Sequence, residues 1–311
     1  MTRRLAQRFP RQDENCRIYI HPDCLLHEGP DGHPERPERL EAIIEGCLEL
    51  PKSLPASFNI PEVARFEQLL SVHDKHYLQR LEEATHHRSD FMSADNYLCQ
   101  DSFDAILAAA GCAIAAGETL LKNGRSFGLT RPPGHHAGPS TAEGFCFINH
   151  IALAVETVRL KQPDARFLVV DFDVHHGNGI DRIYERDDQV FYYSIHGDPA
   201  HIYPNSGFPD EQGSDQGHGF TRNVTVSEGT SGDEWLQIFK ESISEIESSF
   251  TPDYLIVGAG FDAHKEDPFS LLELEDNHYL SVAKILIQFA NDHCAGRSAW
   301  LLEGGYSTSV L

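Results

Sequence analysis

The sequence lacks paired cysteines, an excess of positive charge and a long uninterrupted apolar run. Its seven cysteines are scattered, odd in number and never spaced as Cys-x-x-Cys, which argues for a reducing compartment rather than a disulfide scaffold. The start, MTRRLAQRFPRQDEN, is basic but has no apolar h-region, so it is not typical of a secretory signal. No stretch approaches the roughly 18 apolar residues of a membrane span. We therefore expect a cytoplasmic protein that has no membrane partner.

Positive charge is scarce, because 25 Lys and Arg residues face 48 Asp and Glu residues and give a formal net charge of −23. Such a surface repels nucleic-acid phosphates, so we expect no nucleic-acid partner. It attracts cationic ligands such as lysine-rich peptides or polyamines, although solubility alone is also a sufficient reason for it. Hydrophobic residues make up 40% of the 311 residues, enough for a sizeable core.

Apolar strand patterns alternate with helical patterns along the chain. This alternation indicates βαβ units, and therefore an α/β fold with a mainly parallel sheet in a single domain. Phe220–Val226 alternates in polarity and is predicted to be an edge strand. Residues 1–15 are predicted to form a loose N-terminal arm. The other predicted strands are Arg17–His21, Ser126–Thr130, Arg166–Phe172, Val190–Ile195, Tyr254–Ala259 and Ser298–Leu302, and the clearest helices are Asp101–Lys122, Phe147–Leu160, Asp233–Ser249 and Asp276–His293.

Reactive side chains follow four of these predicted strands. Ligands of an open parallel sheet bind beyond the carboxyl ends of its strands, so these side chains should converge on one rim. Asp173 and His175 can bind one cation, because residues i and i+2 of an extended segment face the same way. With Asp262 they leave a coordination position open for water and substrate. Either carboxylate alone is more often a helix cap, and Fe²⁺, Co²⁺ or Mn²⁺ could compete with Zn²⁺ for so oxygen-rich a set.

A tandem histidine pair and a tyrosine follow two more of the strands. His135 and His136 come after Pro-Pro-Gly, and their potential partners Asp171 and Asn178 flank the metal ligands. A carboxylate raises the basicity of a bonded imidazole more than an amide does, so the two histidines should differ in pKa and in duty. Tyr306 follows two glycines and can donate a hydrogen bond to a carbonyl oxygen. Taken alone, it is equally consistent with a core aromatic residue.

Five ordered blocks make the chain resemble the zinc-dependent histone deacetylase family. They are RPPGHHA, GFCFIN, DFDVHHGNG, GAGFDAHKEDP and LEGGY, preceded by HPERPERLEAI. RPPGHHA, Asn178 and LEGGY resemble the class II branch and its bacterial relatives, the histone deacetylase-like amidohydrolases. The resemblance implies an arginase/deacetylase fold, with about eight strands flanked by helices, and makes residues 16–311 the catalytic domain.

The resemblance also implies a role for each site residue. It places one Zn²⁺ on Asp173, His175 and Asp262. It makes His136 the general base and acid and His135 its electrostatic partner, with Asp171 and Asn178 as the hydrogen-bond partners of the two histidines. It makes Tyr306 the residue that polarises the substrate carbonyl. The implied substrate-binding residues of a narrow acyl-lysine tunnel and its rim are Phe145, Tyr203, Phe269, Gly144, Gly304 and Asp95. Structural K⁺ is implied at an inner site of Asp171, Asp173, His175, Ser194 and Ile195, and at an outer site of Tyr184, Asp187, Val190 and Phe220.

The implied substrate is an acylated lysine in a peptide or protein, and an acylated polyamine or a longer acyl chain stays an alternative. Phe269 stands where relatives usually have leucine or methionine, and it is not the glutamate of polyamine-selective relatives. A two-metal ureohydrolase is disfavoured because Gly177 stands where a second metal needs a carboxylate. A non-enzymatic binding module is disfavoured because every catalytic position holds a competent residue. A homo-oligomer stays open. Relatives usually continue through a further helix, whereas this sequence has five residues after Tyr306, so Tyr306 is expected to be less firmly held than in those relatives.

Overall fold

The computed structural model describes residues 16–51, 56–87 and 90–311, so the predicted arm of residues 1–15 lies outside the described residues. Within those ranges, eight parallel strands form one sheet in the order β2-β1-β5-β10-β9-β6-β7-β8, and two short strands form an antiparallel pair. The strands of the sheet are β1 Cys16–Tyr19, β2 Ser57–Asn59, β5 Arg125–Gly128, β6 Phe167–Asp171, β7 Val190–Gly197, β8 Thr221–Val226, β9 Tyr254–Ala259 and β10 Ser298–Leu302, and the pair is β3 Asp90–Phe91 with β4 Ser93–Tyr97.

Helices cover both faces of the sheet, which explains why its central strands are buried throughout and mainly apolar. Every residue of β6, β7 and β9 is buried, as expected when a parallel strand has helices above and below it. The apolar side chains divide into clusters on the two sides of the sheet. The helices are α1 Pro37–Glu49, α2 Phe66–Leu69, α3 Lys75–Thr85, α4 Ser102–Leu120, α5 His150–Arg159, α6 Asn178–Tyr184, α7 Gly232–Ser249 and α8 Asp276–His293, with 3-10 turns at Pro22–Leu25 and Asp215–Gly217.

The predicted α/β fold with a mainly parallel sheet is confirmed. The strand predicted over Phe220–Val226 is β8 and lies at one edge of the sheet, as expected from its alternating polarity. The helix predicted to begin at Phe147 begins at His150, because Asn149 caps it by accepting a hydrogen bond from the Ala152 N–H at 2.9 Å. The described residues contain no disulfide bond, in keeping with the scattered cysteines.

The expectation that no stretch approaches a membrane span was wrong for α4. This helix has 19 residues and a mean hydropathy of 1.4, so its length and composition alone would let it cross a membrane. However, 78% of the apolar segment of α4 is buried inside the fold, and a buried core helix can have the same length and apolar composition as a membrane span. Small residues let α4 approach α5 closely, since a Cβ on Gly117 would lie 2.7 Å from the Ala154 carbonyl oxygen.

The sheet order brings four loops to one rim. Strands β5, β10, β9 and β6 are consecutive neighbours, and all run parallel, so the segments that follow them leave the same edge side by side. Asp171 is the last residue of β6 and lies opposite Gly258 of β9 and Ser194 of β7. The predicted convergence of the reactive side chains therefore has its cause in strand order.

Candidate active site

Two carboxylates and an imidazole meet where the loops after β6 and β9 touch. The Nδ1 atom of His175 lies 3.0 Å from an Asp173 oxygen and 3.1 Å from an Asp262 oxygen. One ligand atom from each of the three residues lies within 4.8 Å of the other two. Both carboxylates are fully buried. The group has the donor set that the sequence predicted for a divalent cation.

Backbone groups and glycines orient these carboxylates. Gly304 donates its N–H to the Oδ2 atom of Asp173 at 2.8 Å, and Val174 donates to the Oδ1 atom of Asp262 at 2.9 Å. A Cβ on Gly304 would lie only 2.2 Å from the Asp262 carboxylate and 2.5 Å from that of Asp173. Gly304 therefore packs directly against both carboxylates, at a position where no side chain fits.

The electrostatics of the group fit a bound cation. Burial and the neighbouring Asp173 carboxylate raise the pKa of Asp262 to about 7. Burial opposes a charge on His175, but Asp173 and Asp262 outweigh it and raise the pKa of His175 to about 9. A proton between the carboxylates thus offsets their repulsion, and a divalent cation on the same atoms would offset it more strongly. Residues of this charge and geometry fit Zn²⁺.

His135 and His136 lie side by side, with ring centroids 3.9 Å apart, but they have different partners. The Nδ1 atom of His135 lies 3.0 Å from a carboxylate oxygen of Asp171, and the Nδ1 atom of His136 lies 2.8 Å from the amide oxygen of Asn178. Burial disfavours the charged form of His135, but Asp173 and Asp171 raise its pKa to about 10. Burial and its cationic neighbours hold the pKa of His136 well below its usual value.

Glu303 and Asn149 support the histidine pair, and sequence reasoning missed both. Glu303 accepts the N–H groups of Gly134 at 2.7 Å and His135 at 3.0 Å, while Asn149 donates to the Ala137 carbonyl at 3.0 Å. Burial raises the pKa of the Glu303 carboxyl to about 7. Glu303 belongs to LEGGY and Asn149 ends GFCFIN, so the blocks themselves carried the signal.

A cavity of about 190 Å³ leads from the surface to this group. Aromatic side chains form most of its wall, with the Tyr306 ring centroid 5.7 Å from that of Phe145 and 5.0 Å from that of Phe269. Tyr203 and Phe269 are 38% and 37% exposed and lie at its mouth. Seven of the predicted site residues line the cavity, together with the predicted metal ligand His175: Asp95, His136, Gly144, Phe145, Tyr203, Phe269 and Tyr306.

The wall at Gly144 and Phe145 depends on an unusual backbone. Both residues have positive φ, 52° and 68°, and a Cβ on Gly144 would lie 2.4 Å from the His136 ring. Asn96 on β4 holds the turn, since its amide oxygen accepts from the Phe145 N–H at 3.2 Å and its amide nitrogen donates to the Cys146 carbonyl at 2.9 Å. Sequence reasoning singled out the exposed Asp95 and missed the buried Asn96 beside it.

Contacts to its backbone and to its ring hold Tyr306 in place. Its N–H donates to the Asp267 carboxylate at 2.6 Å, and the Arg39 guanidinium lies 4.7 Å from its ring centroid. The other Asp267 oxygen accepts from the Phe269 N–H at 3.0 Å, so one carboxylate fixes two walls of the cavity. Only 8% of Tyr306 is exposed. Arg39 and Asp267 lie in the HPERPERLEAI and GAGFDAHKEDP blocks but received no role from the sequence.

The residues of the implied inner potassium site lie together behind the metal group. Asp171 faces Ser194 across β6 and β7, and the Asp173 N–H donates to the Asp171 carboxylate at 3.2 Å. The Ser194 hydroxyl lies 2.7 Å from the Nδ1 atom of His196. Ile195 follows on β7, and His175 follows in the loop after β6.

The residues of the implied outer potassium site lie around the start of β7. The Asp187 N–H donates to the Tyr184 carbonyl at 2.9 Å, and the Phe220 carbonyl accepts from the Tyr192 N–H at 2.8 Å. The Asp187 carboxylate forms an ion pair with Arg159 at 2.8 Å. The fourth residue of the implied site, Val190, is the first residue of β7.

Comparison with known proteins supplies the family. The protein-family model with the description "Histone deacetylase domain" matches residues 33–311 of the sequence. The chain belongs to the histone deacetylase family. A relative named "Probable deacetylase" from Archaeoglobus fulgidus is 35% identical over 297 residues, which cover 93% of this chain and 81% of that protein. The activity that the family supports is that of a deacetylase or related amidohydrolase.

Solved structures agree with the histone deacetylase fold. The HD domain of HDA15 superposes with a TM-score of 0.88 at 31% identity, covering 95% of this chain and 84% of that one. An acetylpolyamine aminohydrolase from Burkholderia pseudomallei superposes with a TM-score of 0.82 at 26% identity, covering 94% of both chains. The predicted arginase/deacetylase fold is thereby confirmed.

Proposed function

We propose that this protein is a zinc-dependent amidohydrolase that removes acetyl or other acyl groups from the side-chain amine of acyl-lysine in peptides or proteins. One observation carries the proposal: a single aromatic cavity has His175, His136 and Tyr306 on its wall, with the buried carboxylates of Asp173 and Asp262 in contact with His175. A cation ligand, a neutral base and a phenol thus face the same space.

Zn²⁺ would be held by Asp173, His175 and Asp262, one ion per chain. A bound zinc ion polarises an amide carbonyl and lowers the pKa of water. The protein's own contribution is to fix both carboxylates through backbone N–H groups and to bury them in a site closed by Gly304. Fe²⁺, Co²⁺ or Mn²⁺ are alternative occupants of so oxygen-rich a set.

His136 would act as the general base and then as the acid. Its low pKa keeps the imidazole neutral, so it can accept the proton of the attacking water and return it to the leaving amine. His135, held by Asp171, supplies a positive charge next to it. Asn178 holds the ring of His136.

Tyr306 would donate a hydrogen bond to the carbonyl oxygen as negative charge develops there. Donors placed in advance around such an oxygen give the largest electrostatic contribution to many acyl transfers. Burial raises the pKa of the Tyr306 hydroxyl well above its usual value, so the proton stays on the oxygen at neutral pH. The hydroxyl can therefore act as a hydrogen-bond donor.

The substrate is proposed to enter between Phe145, Tyr203 and Phe269, with Asp95 at the rim for the backbone amides of a peptide. Acylated polyamines, which have no such amides, are the alternative that the Burkholderia pseudomallei structure supports. Longer acyl chains are a further alternative. The acidic surface attracts either cationic substrate. Structural K⁺ at the inner and outer sites and a cytoplasmic location complete the proposal.

A panel of acylated amines tests this function. Purified protein is assayed with an acetyl-lysine peptide, acetylputrescine and longer acyl-lysine peptides, before and after treatment with a metal chelator. We expect the acetyl-lysine peptide to have the highest kcat/KM, the chelator to abolish turnover and added Zn²⁺ to restore it. Preference for acetylputrescine would overturn the substrate class, and turnover that survives metal removal would overturn the chemistry.

A further inference from the structure

Glu143 stands behind the proposed base in a chain of three side chains. The Nδ1 atom of His136 lies 2.8 Å from the amide oxygen of Asn178, and the amide nitrogen of Asn178 donates to the Glu143 carboxylate at 3.0 Å. Asn178 is the first residue of α6, and Glu143 precedes the Gly144–Phe145 turn of the cavity wall. The side-chain amide of Asn178 therefore links His136, the proposed base, to Glu143 at the cavity wall.

Hydrogen-bonding capacity fixes the direction of this chain. An ionised carboxylate only accepts hydrogen bonds, so the NH₂ group of Asn178 must face Glu143. The amide oxygen then faces His136 and also only accepts, so the proton of His136 must lie on Nδ1. In a neutral imidazole this leaves the lone pair on Nε2, the nitrogen that can accept a proton from water.

Glu143 is itself held in place on both sides. Its Oε1 atom accepts a hydrogen bond from the Arg182 guanidinium, and Arg182 also donates to the Thr141 hydroxyl at 3.4 Å. Its main chain is tied to Cys146 by two hydrogen bonds, of 3.2 and 2.8 Å. The carboxylate thus has one oxygen for Arg182 and the other for Asn178.

We propose that Glu143 is a positioning residue that selects the tautomer of His136 with Nε2 free to accept a proton. An amide fits the same space in either orientation, and a turned Asn178 would present its NH₂ group to Nδ1 and favour the tautomer that cannot act as base. Glu143 removes that choice. The consequence for rate rests on the proposed function, whereas the tautomer itself does not.

The tautomer is read directly by ¹⁵N NMR of protein labelled at its histidines, with a His136→Gln sample to identify the His136 signals. In the wild-type protein we expect His136 to carry its proton on Nδ1. In Glu143→Ala we expect a mixture of tautomers, a fall in kcat of about 10-fold and little change in KM. This loss is smaller than the roughly 10²–10⁴-fold contribution of a general base, because the base is still present.

A second substitution makes the test specific. Placing Asn178→Asp in the Glu143→Ala background gives His136 a partner that accepts through either oxygen and has no wrong orientation, so it should restore the Nδ1 proton. Glu245→Ala is the matched control, because Glu245 also pairs with an arginine, Arg222, but lies on α7. It should leave tautomer and rate unchanged.

The outcomes separate this inference from the proposed function. An Nδ1 proton that persists in Glu143→Ala, or a double variant that fails to restore it, overturns the positioning role. A tautomer that changes as expected in a protein without hydrolase activity supports the role and overturns the function. If Glu143→Ala does not fold, Glu143→Leu is read instead, because leucine fills similar space without offering an acceptor to Asn178, and a His136 tautomer identical to wild type overturns the role there too.

Discussion

The two adjacent imidazoles His135 and His136 have different partners and opposite pKa shifts. Asp173 and Asp171 raise the pKa of His135, whereas burial and the neighbouring His135 and His175 lower the pKa of His136. The sequence allowed this difference to be expected, because it shows one acidic and one amide residue beside the metal ligands. It did not reveal Glu143, whose contact with Asn178 spans 35 residues and depends on how a loop folds against α6.

Tyr306→Phe tests the role of the phenol. Removing the hydroxyl leaves the ring between Arg39 and Phe269 and keeps the backbone bond to Asp267, so stability should hardly change. The rate should fall about 10²–10³-fold, the loss measured for an oxyanion donor. Steady-state kinetics on the acetyl-lysine peptide measures it, with unfolding by urea as control. Near-normal kcat in this variant would refute the role.

Helix α5 shows how an element positions the site. Its cap, Asn149, accepts from the Ala152 N–H at 2.9 Å and donates to the Ala137 carbonyl at 3.0 Å, directly after the histidine pair. The long apolar strands and helices were predictable, because each has a regular pattern. The short β2, β3 and β4 were not, since two to five residues hold too little periodicity to distinguish a strand from a loop.

Asn149→Ala should therefore affect stability and catalysis together. Loss of the cap lowers the free energy of unfolding by about 1–2 kcal/mol. Loss of the bond to Ala137 should lower kcat in addition, because that bond tethers the segment after His136. Ser231→Ala is the matched control, since Ser231 caps α7 through the Glu234 N–H. It should cost stability alone, and unchanged kcat in Asn149→Ala would contradict the tether.

At the scale of the whole molecule, the order of the strands determines the site and burial determines its response to acid. Alternating strands and helices predicted a parallel sheet, but the order β5-β10-β9-β6, which puts the four loops side by side, came only from tertiary structure. The fold also buries histidines in neutral form: burial lowers the pKa of His27, His73, His150 and His196 to about 4.

These buried histidines should make the protein sensitive to acid. In the unfolded chain these histidines bind protons near pH 6.5, whereas in the folded chain they bind them only near pH 4. Their contribution to the free energy of unfolding is therefore fully present above about pH 6.5 and is lost as the pH falls from about 6.5 to about 4. For His150 alone the loss at pH 5 is about 2 kcal/mol. Urea unfolding of wild type and His150→Gln at pH 7 and pH 5 checks this. An equal loss in both proteins would contradict it.

The count of bound metal tests the central proposal most directly. Wild-type protein and Asp262→Asn are dialysed against the same low concentration of Zn²⁺, and the zinc per chain is measured by mass spectrometry. The proposal predicts one zinc per wild-type chain, much less in the variant and a matching loss of hydrolysis. A variant that keeps its full zinc would contradict the assignment of Asp173, His175 and Asp262 as the ligands.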